Sequence, residues 1–117
     1  MTVTLYGIPN CDTMKKARTW LEDHDVAYAF HDYKKAGIDV ETLRRWCDVL
    51  GWEKVLNRQG TTFRKLPDAD RSDLNEDKAI ALMVAQPAMI KRPILHSGDL
   101  LLAGFKPDTY LEAGIIA

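Results

Sequence analysis

One stretch constrains this chain more than any other: Val3-Thr-Leu-Tyr-Gly-Ile-Pro-Asn-Cys-Asp-Thr-Met-Lys-Lys-Ala-Arg-Thr-Trp-Leu21. Val3 to Tyr6 is β-branched and apolar and is stopped by Gly7 and Pro9, which predicts a short buried strand. Asn10 is a good helix N-cap, and the residues after it have helical spacing. Met14, Ala17 and Leu21 fall on one stripe, with Lys15, Lys16 and Glu22 off it. Cys11 is therefore expected where a strand ends and a helix begins. Free backbone N–H groups and the positive end of the helix dipole favour a thiolate there, which makes the sulfur nucleophilic. Lys15, one helical turn on, is a candidate to add positive charge, whereas the Asp12 carboxylate works against a second anion. The competing reading is a small buried hydrophobe, the commoner fate of a free cysteine. The preceding turn, the polar neighbours Asn10 and Asp12, and the position ahead of the apolar stripe favour a reactive sulfur.

A chain of 117 residues suits one domain with a real core. Its formal charge of −1 leaves no global basic field to gather nucleic acid directly. No apolar run is long enough to span a membrane, and the chain enters its first strand with no basic-then-apolar leader. Two widely spaced cysteines make no secreted disulfide framework, so a reduced, cytoplasmic protein is expected.

Val26 to His31 suits a second strand, and strand–helix–strand in this span predicts a βαβ unit with parallel strands. Tyr33 to Gly37 reads as a polar link. Asp39 can cap a helix to about Leu50, with Val40, Leu43, Cys47 and Leu50 on one stripe, so Cys47 reads as core. Gly51 ends that helix, and Trp52 to Leu56 suits one more turn. Asn57 to Leu66 is polar and basic, with Gly60 as a turn and a threonine available as a cap. Pro67 to Asp73 reads as a loop. Leu74 to Gln86 reads as a helix with Ala79, Ile80, Met83 and Val84 inward, stopped by Pro87. Ile94 to His96 and Leu100 to Ala103 flank Ser97-Gly98-Asp99, which predicts an antiparallel hairpin. Pro107 can open a last helix ended by Gly114. The order β-α-β, helical insertion, β-β-α predicts an α/β fold with a four-stranded mixed sheet.

These pieces resemble the thioredoxin fold, and with the helical insertion they resemble the glutaredoxin-coupled arsenate reductase (ArsC) family, which includes Spx-type regulators. The matching pieces are Tyr6 to Ala17, Asn57-Arg-Gln-Gly-Thr61, Ile90-Lys-Arg-Pro-Ile-Leu95 and Gly104-Phe-Lys-Pro107. The phrase Gly7-Ile-Pro-Asn-Cys-Asp-Thr13 most resembles the branch described as glutathione-dependent thiol reductases. The resemblance implies a single domain over 1–117, with a thioredoxin-like core at 1–35 and 89–117 and an all-helical insertion at about 36–88. It implies that Cys11 is the nucleophile, that Pro93 follows a cis bond, and that Arg92 lies beside Cys11. It further implies that Asn10, Arg58, Arg92, Pro93 and Lys106 bind substrate or glutathione. Guanidinium groups suit oxyanions and carboxylates because their donors fork bidentately. The bland alternative for Arg58 and Arg92 is solvated surface charge.

Two departures from the family pattern matter. Lys106 stands where the family carries a third arginine, a point charge in place of a fork. Met14 stands where a dithiol motif carries its second cysteine, so a disulfide on Cys11 needs an outside thiol, with cytosolic glutathione the natural one. His24, His31 and His96 lack metal-ligand spacing with the cysteines, and no metal is expected. Trp20, Trp46 and Trp52 read as core or rim, and Arg64, Lys65 and Arg71 as a solvated face.

Three functions follow from these residues and the resemblance. One is a monothiol reductase acting on small disulfides or glutathionylated substrates, with glutathione as co-substrate. The second is an arsenate reductase with the same nucleophile, coupled to glutathione and glutaredoxin. The third is an RNA polymerase-binding protein resembling Spx, which a polymerase pull-down discriminates.

Overall fold

The computed structural model describes residues 2–115. Apolar alternation sets the first strand: in β1, Val3–Gly7, the side chains of Val3 and Leu5 turn inward while Thr4 and Tyr6 are only partly covered. Helix α1, Asp12–Asp23, buries Met14, Ala17 and Leu21, the stripe expected from the 3.6-residue period. Strand β2, Tyr28–Asp32, pairs parallel with β1 from Val3↔Tyr28 to Gly7↔Asp32. It starts two residues later than the sequence pattern indicates, because Val26 and Ala27 complete the turn out of α1.

The chain then leaves this sheet and returns to it. Strands β3, Ile94–Ser97, and β4, Leu100–Ala103, form the expected hairpin, and β3 lies antiparallel to β1. The two linking residues are Gly98 and Asp99, with Gly98 at φ +59°, a conformation that suits the twist of a tight hairpin. The sheet order is β2-β1-β3-β4, so the first strand sits in the middle. Pro107–Glu112 is helical, and Tyr110 in that segment is fully buried. The core joins Val3, Leu5, Met14, Ala17, Leu21, Leu95, Tyr110 and Ile115. Each such large side chain, fully buried, contributes about 1.5–3 kcal/mol.

The chain divides into two compact units, Met1–Asp32 with Arg92–Ala117, and Tyr33–Lys91. In the second unit, Tyr33–Ala36 is a short helix (α2) rather than a polar link, and Tyr33 is buried in spite of the lysines beside it. Helix α3, Val40–Leu50, is capped as expected: the Thr42 N–H donates to the Asp39 carboxylate at 2.7 Å. Its inward face is Leu43, Trp46 and Cys47, while Val40 is 48% exposed. The stripe is thus rotated, because the indole of Trp46 has more apolar area to bury than the end residue Val40. Single helical turns follow at Trp52–Val55 (α4), Thr61–Arg64 (α5) and Asp68–Arg71 (α6). Gly60, not a threonine, occupies the cap position of α5. Helix α7, Glu76–Ala85, is capped by Asn75 and buries Ala79, Ile80 and Met83, while Val84 stays exposed. A 3-10 turn, Pro87–Met89, follows, and the closing helix Pro107–Glu112 is α8. The Lys91 N–H donates to the Val55 carbonyl at 2.7 Å and the Asn57 N–H to the Met89 carbonyl at 2.8 Å, tying the last strand-like stretch of this unit to its middle.

Candidate active site around Cys11

Cys11 is itself the N-cap of α1, in extended backbone at φ −106°, ψ 131°, and its carbonyl accepts the first helical hydrogen bond from the Lys15 N–H at 3.0 Å. Asn10 is therefore not the cap. It takes a left-handed turn at φ 65°, which asparagine tolerates better than most residues. The two uses of asparagine, cap and left-handed turn, compete for the same position, and here the turn wins. The result moves the sulfur one place closer to the exposed amides of the first turn.

The sulfur completes no ideal capping bond. Burial pushes the Cys11 thiol up, but the backbone N–H of Met14, the Arg92 guanidinium and the N–H of Thr13 outweigh it, and the charge of Arg92 adds to them. The net effect holds Cys11 below the ordinary thiol value. Thr13 and Met14 are the second and third residues of the helix, so their amides are the ones a cap group satisfies. Their part was readable in the sequence only once Cys11, rather than Asn10, is taken as the cap. Lys15 and Asp12, expected to act for and against the thiolate, do not figure among the causes of the shift. A half-buried sulfur with a lowered pKa beside a guanidinium is a nucleophile, and it can equally hold a transferred group as a covalent adduct.

The Arg92–Pro93 bond is cis, and Pro93 is buried directly before β3. The Pro93 carbonyl accepts from the Gly104 N–H at 2.8 Å, which fastens the loop before β3 to the end of β4. That fastening fixes where Phe105 and Lys106 leave the sheet. Lys106 is exposed at the N-cap of α8. Met14, at the place of a second cysteine, is a core residue whose thioether lies where a methyl group on Gly7 would go. Cys11, Arg92, Pro93, Asn10 and Lys106 belong to one compact unit. Arg58 belongs to the other, where it is exposed and holds its guanidinium 5.6 Å from the centre of the Trp52 ring. Cys47, in the same unit as Arg58, is buried, and burial, with the Glu76 carboxylate next, pushes its thiol up to about 11. Among the described residues there is no cluster of three or more side chains able to hold a metal ion. No helix among them is long and apolar enough to cross a membrane.

Residues 6–113 match the model of the ArsC family. An uncharacterised protein of Haemophilus influenzae is 37% identical over 95% of this chain and 97% of its own length. The global transcriptional regulator Spx of Streptococcus mutans is 30% identical over 91% of this chain and 78% of its own. Among solved structures, the YFFB protein superposes with a TM-score of 0.93 at 64% identity, covering 98% of this chain and 99% of that one. An arsenate reductase-related protein of Brucella melitensis gives 0.77 at 57% identity, covering 100% and 97%. The arsenate reductase of Vibrio cholerae gives 0.82 at 26% identity, covering 96% and 97%. These neighbours share the thioredoxin-like arrangement described above, a mixed four-stranded sheet with helices.

Proposed function

This chain belongs to the ArsC family, and from that premise we propose that it is a glutathione-dependent thiol reductase working through the single nucleophile Cys11. One observation carries the reading: a sulfur held below its ordinary pKa by helix amides and by Arg92, with no second thiol in the first turn. The Cys11 thiolate attacks the glutathione sulfur of a mixed disulfide. The old S–S bond breaks, the departing thiolate takes a proton from water, and a Cys11–glutathione disulfide remains. The thiolate of a second glutathione attacks the glutathione sulfur of that adduct, releasing oxidised glutathione and restoring Cys11. One disulfide is consumed and one is formed: the departing sulfur becomes a thiol as the incoming glutathione sulfur enters oxidised glutathione, so the balance closes within the exchange.

Arg92 favours the anionic sulfur before attack and again when Cys11 leaves the adduct, since a lower leaving-group pKa speeds exchange. Glutathione bears carboxylates, and Lys106, exposed in the same compact unit as Cys11, supplies a cation to receive one. Asn10 and Pro93 shape the backbone on which the adduct rests. The test is mass spectrometry after exposure to oxidised glutathione: one glutathione on Cys11 and none on Cys47, removed by added glutathione, is expected. An unmodified Cys11 counts against the reading.

A second reading, arsenate reduction coupled to glutathione and glutaredoxin, has the named arsenate reductase of Vibrio cholerae in its favour. Lys106 weighs against it, because a lysine grips an oxyanion as a point charge rather than as a fork. An Spx-like function, which rests on the likeness to Spx of Streptococcus mutans, requires polymerase binding and is answered by the pull-down.

A further inference from the structure

A cleft of about 420 Å³ opens along α1, lined among others by Lys15, Lys16, Trp20, Phe105 and Pro107, with Asp23 at its C-terminal end. That volume lies in the roughly 300–1,000 Å³ range of small-molecule sites. Its walls are held from behind. The Trp20 ring stacks on His24 at 4.0 Å and meets Tyr110 edge-on at 5.4 Å, and Phe105 meets the same Tyr110 at 4.8 Å. Tyr110 is fully buried, so both cleft rings lean on a fixed partner.

Two main-chain hydrogen bonds tie the segments that line the cleft to those that hold the sulfur. Lys15 is one turn past Cys11, its N–H bonded to the Cys11 carbonyl. Phe105 follows Gly104, whose N–H is bonded to the Pro93 carbonyl. The charges are sorted along its length. Lys15 and Lys16 are exposed at the end nearer Cys11, while the carboxylate of Asp23 is two turns further on. A ligand seated with one end at Cys11 thus meets cations first and aromatic surface beside them.

We propose that this cleft receives the departing half of the mixed disulfide, and that the substrate it selects carries an aromatic thiol bearing a carboxylate. The inference rests on the thiol-reductase reading for its chemistry, but the cleft can be tested apart from it. The ring packs on Trp20 and Phe105, as aromatic pairs favour offset or edge contacts. The carboxylate lies by Lys15 and Lys16. In the exchange, the bond between this thiol and glutathione breaks, the aromatic sulfur leaves into the cleft as a thiolate that is stable near neutral pH, and glutathione stays on Cys11.

Three substrates test it: the mixed disulfides of glutathione with ortho-mercaptobenzoate, whose carboxylate sits beside the sulfur, with benzenethiol and with mercaptoethanol. Trp20→Ala is expected to lower kcat/KM about tenfold for the two aromatic substrates, with the mercaptoethanol substrate changed by less than about twofold. Lys16→Glu, at an exposed position, is expected to slow the benzoate substrate several-fold relative to benzenethiol. An equal loss on all three substrates overturns the proposal and leaves the reductase reading standing. The unreactive ortho-(methylthio)benzoate gives a second readout that needs no turnover. It should shift the Trp20 indole N–H signal in the NMR spectrum of nitrogen-labelled protein. No shift at Trp20 overturns the cleft assignment, whether or not any disulfide is turned over. A shift at Trp20 without turnover of any substrate removes the reductase reading and keeps the cleft as a binding site.

Discussion

Arg92 holds its guanidinium against the sulfur of Cys11, acting on it both as hydrogen-bond donor and as positive charge. The residue that precedes the cis bond in the chain is thus the one that steadies the thiolate. Arg92→Ala should therefore move the pH profile of Cys11 alkylation upward. Loss of one charge-assisted contact should lower turnover by about tenfold. Iodoacetamide rates measured across pH, alongside a thermal melt to show an intact fold, check this. An unchanged profile means that Arg92 does not tune the sulfur.

The two cysteines should separate by reactivity and by pH. Cys11 is held below the ordinary thiol value and Cys47 is pushed up to about 11. Near neutral pH, Cys11 should be alkylated much faster than Cys47 in the folded protein. Equal rates contradict the site assignment.

Stability carries the same signs. Cys47 keeps its proton longer folded than unfolded, so its contribution is complete below the ordinary value of 9.0 and is lost as pH rises to about 11. Two pH units of difference correspond to about 2–3 kcal/mol. For Cys11 the sign reverses: its contribution is present above the ordinary thiol value and is lost as pH falls through the lowered one. Urea unfolding of wild type and Cys47→Ala at several alkaline pH values checks the first sign. The wild type should lose more stability than the variant over this window, and parallel loss would show that Cys47 is not protected.

Much of this was legible in the sequence because it is local. The strand, the turn and the stripe Met14, Ala17, Leu21 lie within one short stretch, and periodicity reports them directly. Asn10 departs from the cap expected of it because one residue type serves two turn geometries, and only the dihedral angle separates them. Periodicity alone turns Val40 and Val84 inward, yet both are exposed, because positions at the margin of a stripe are decided by whichever neighbour buries more area. Tyr33 was masked by Lys34 and Lys35. The contact of Arg92 with Cys11 joins distant parts of the chain, so it was readable through family resemblance and not through spacing. The cleft of Trp20 and Phe105 has no local signal, since it forms only when β4 delivers Phe105 to α1.

Met14→Cys should convert the site from one that needs an outside thiol to one that closes on itself. The replaced side chain is buried, so the change should cost about 1–3 kcal/mol. After treatment with oxidised glutathione, the variant should lose two free thiols with no added mass of glutathione. A stable glutathione adduct on the variant would show that position 14 does not reach the sulfur.

Arg58→Ala should leave alkylation of Cys11 unchanged, since Arg58 is not among the groups that lower the Cys11 pKa. Its contact with Trp52 is exposed, worth about 0.5–1 kcal/mol, so the fold should survive. If Arg58→Ala abolishes turnover while Arg92→Ala does not, the roles given to the two arginines are reversed.

The central claim is that Cys11 reduces disulfides with glutathione as the outside thiol. The direct measurement is turnover of a glutathione mixed disulfide and of arsenate, each with glutathione and glutaredoxin, for wild type and Cys11→Ser. Disulfide turnover exceeding arsenate turnover in the wild type, and neither in Cys11→Ser, is the predicted result. Arsenate turnover without disulfide turnover, or activity that survives Cys11→Ser, would contradict it.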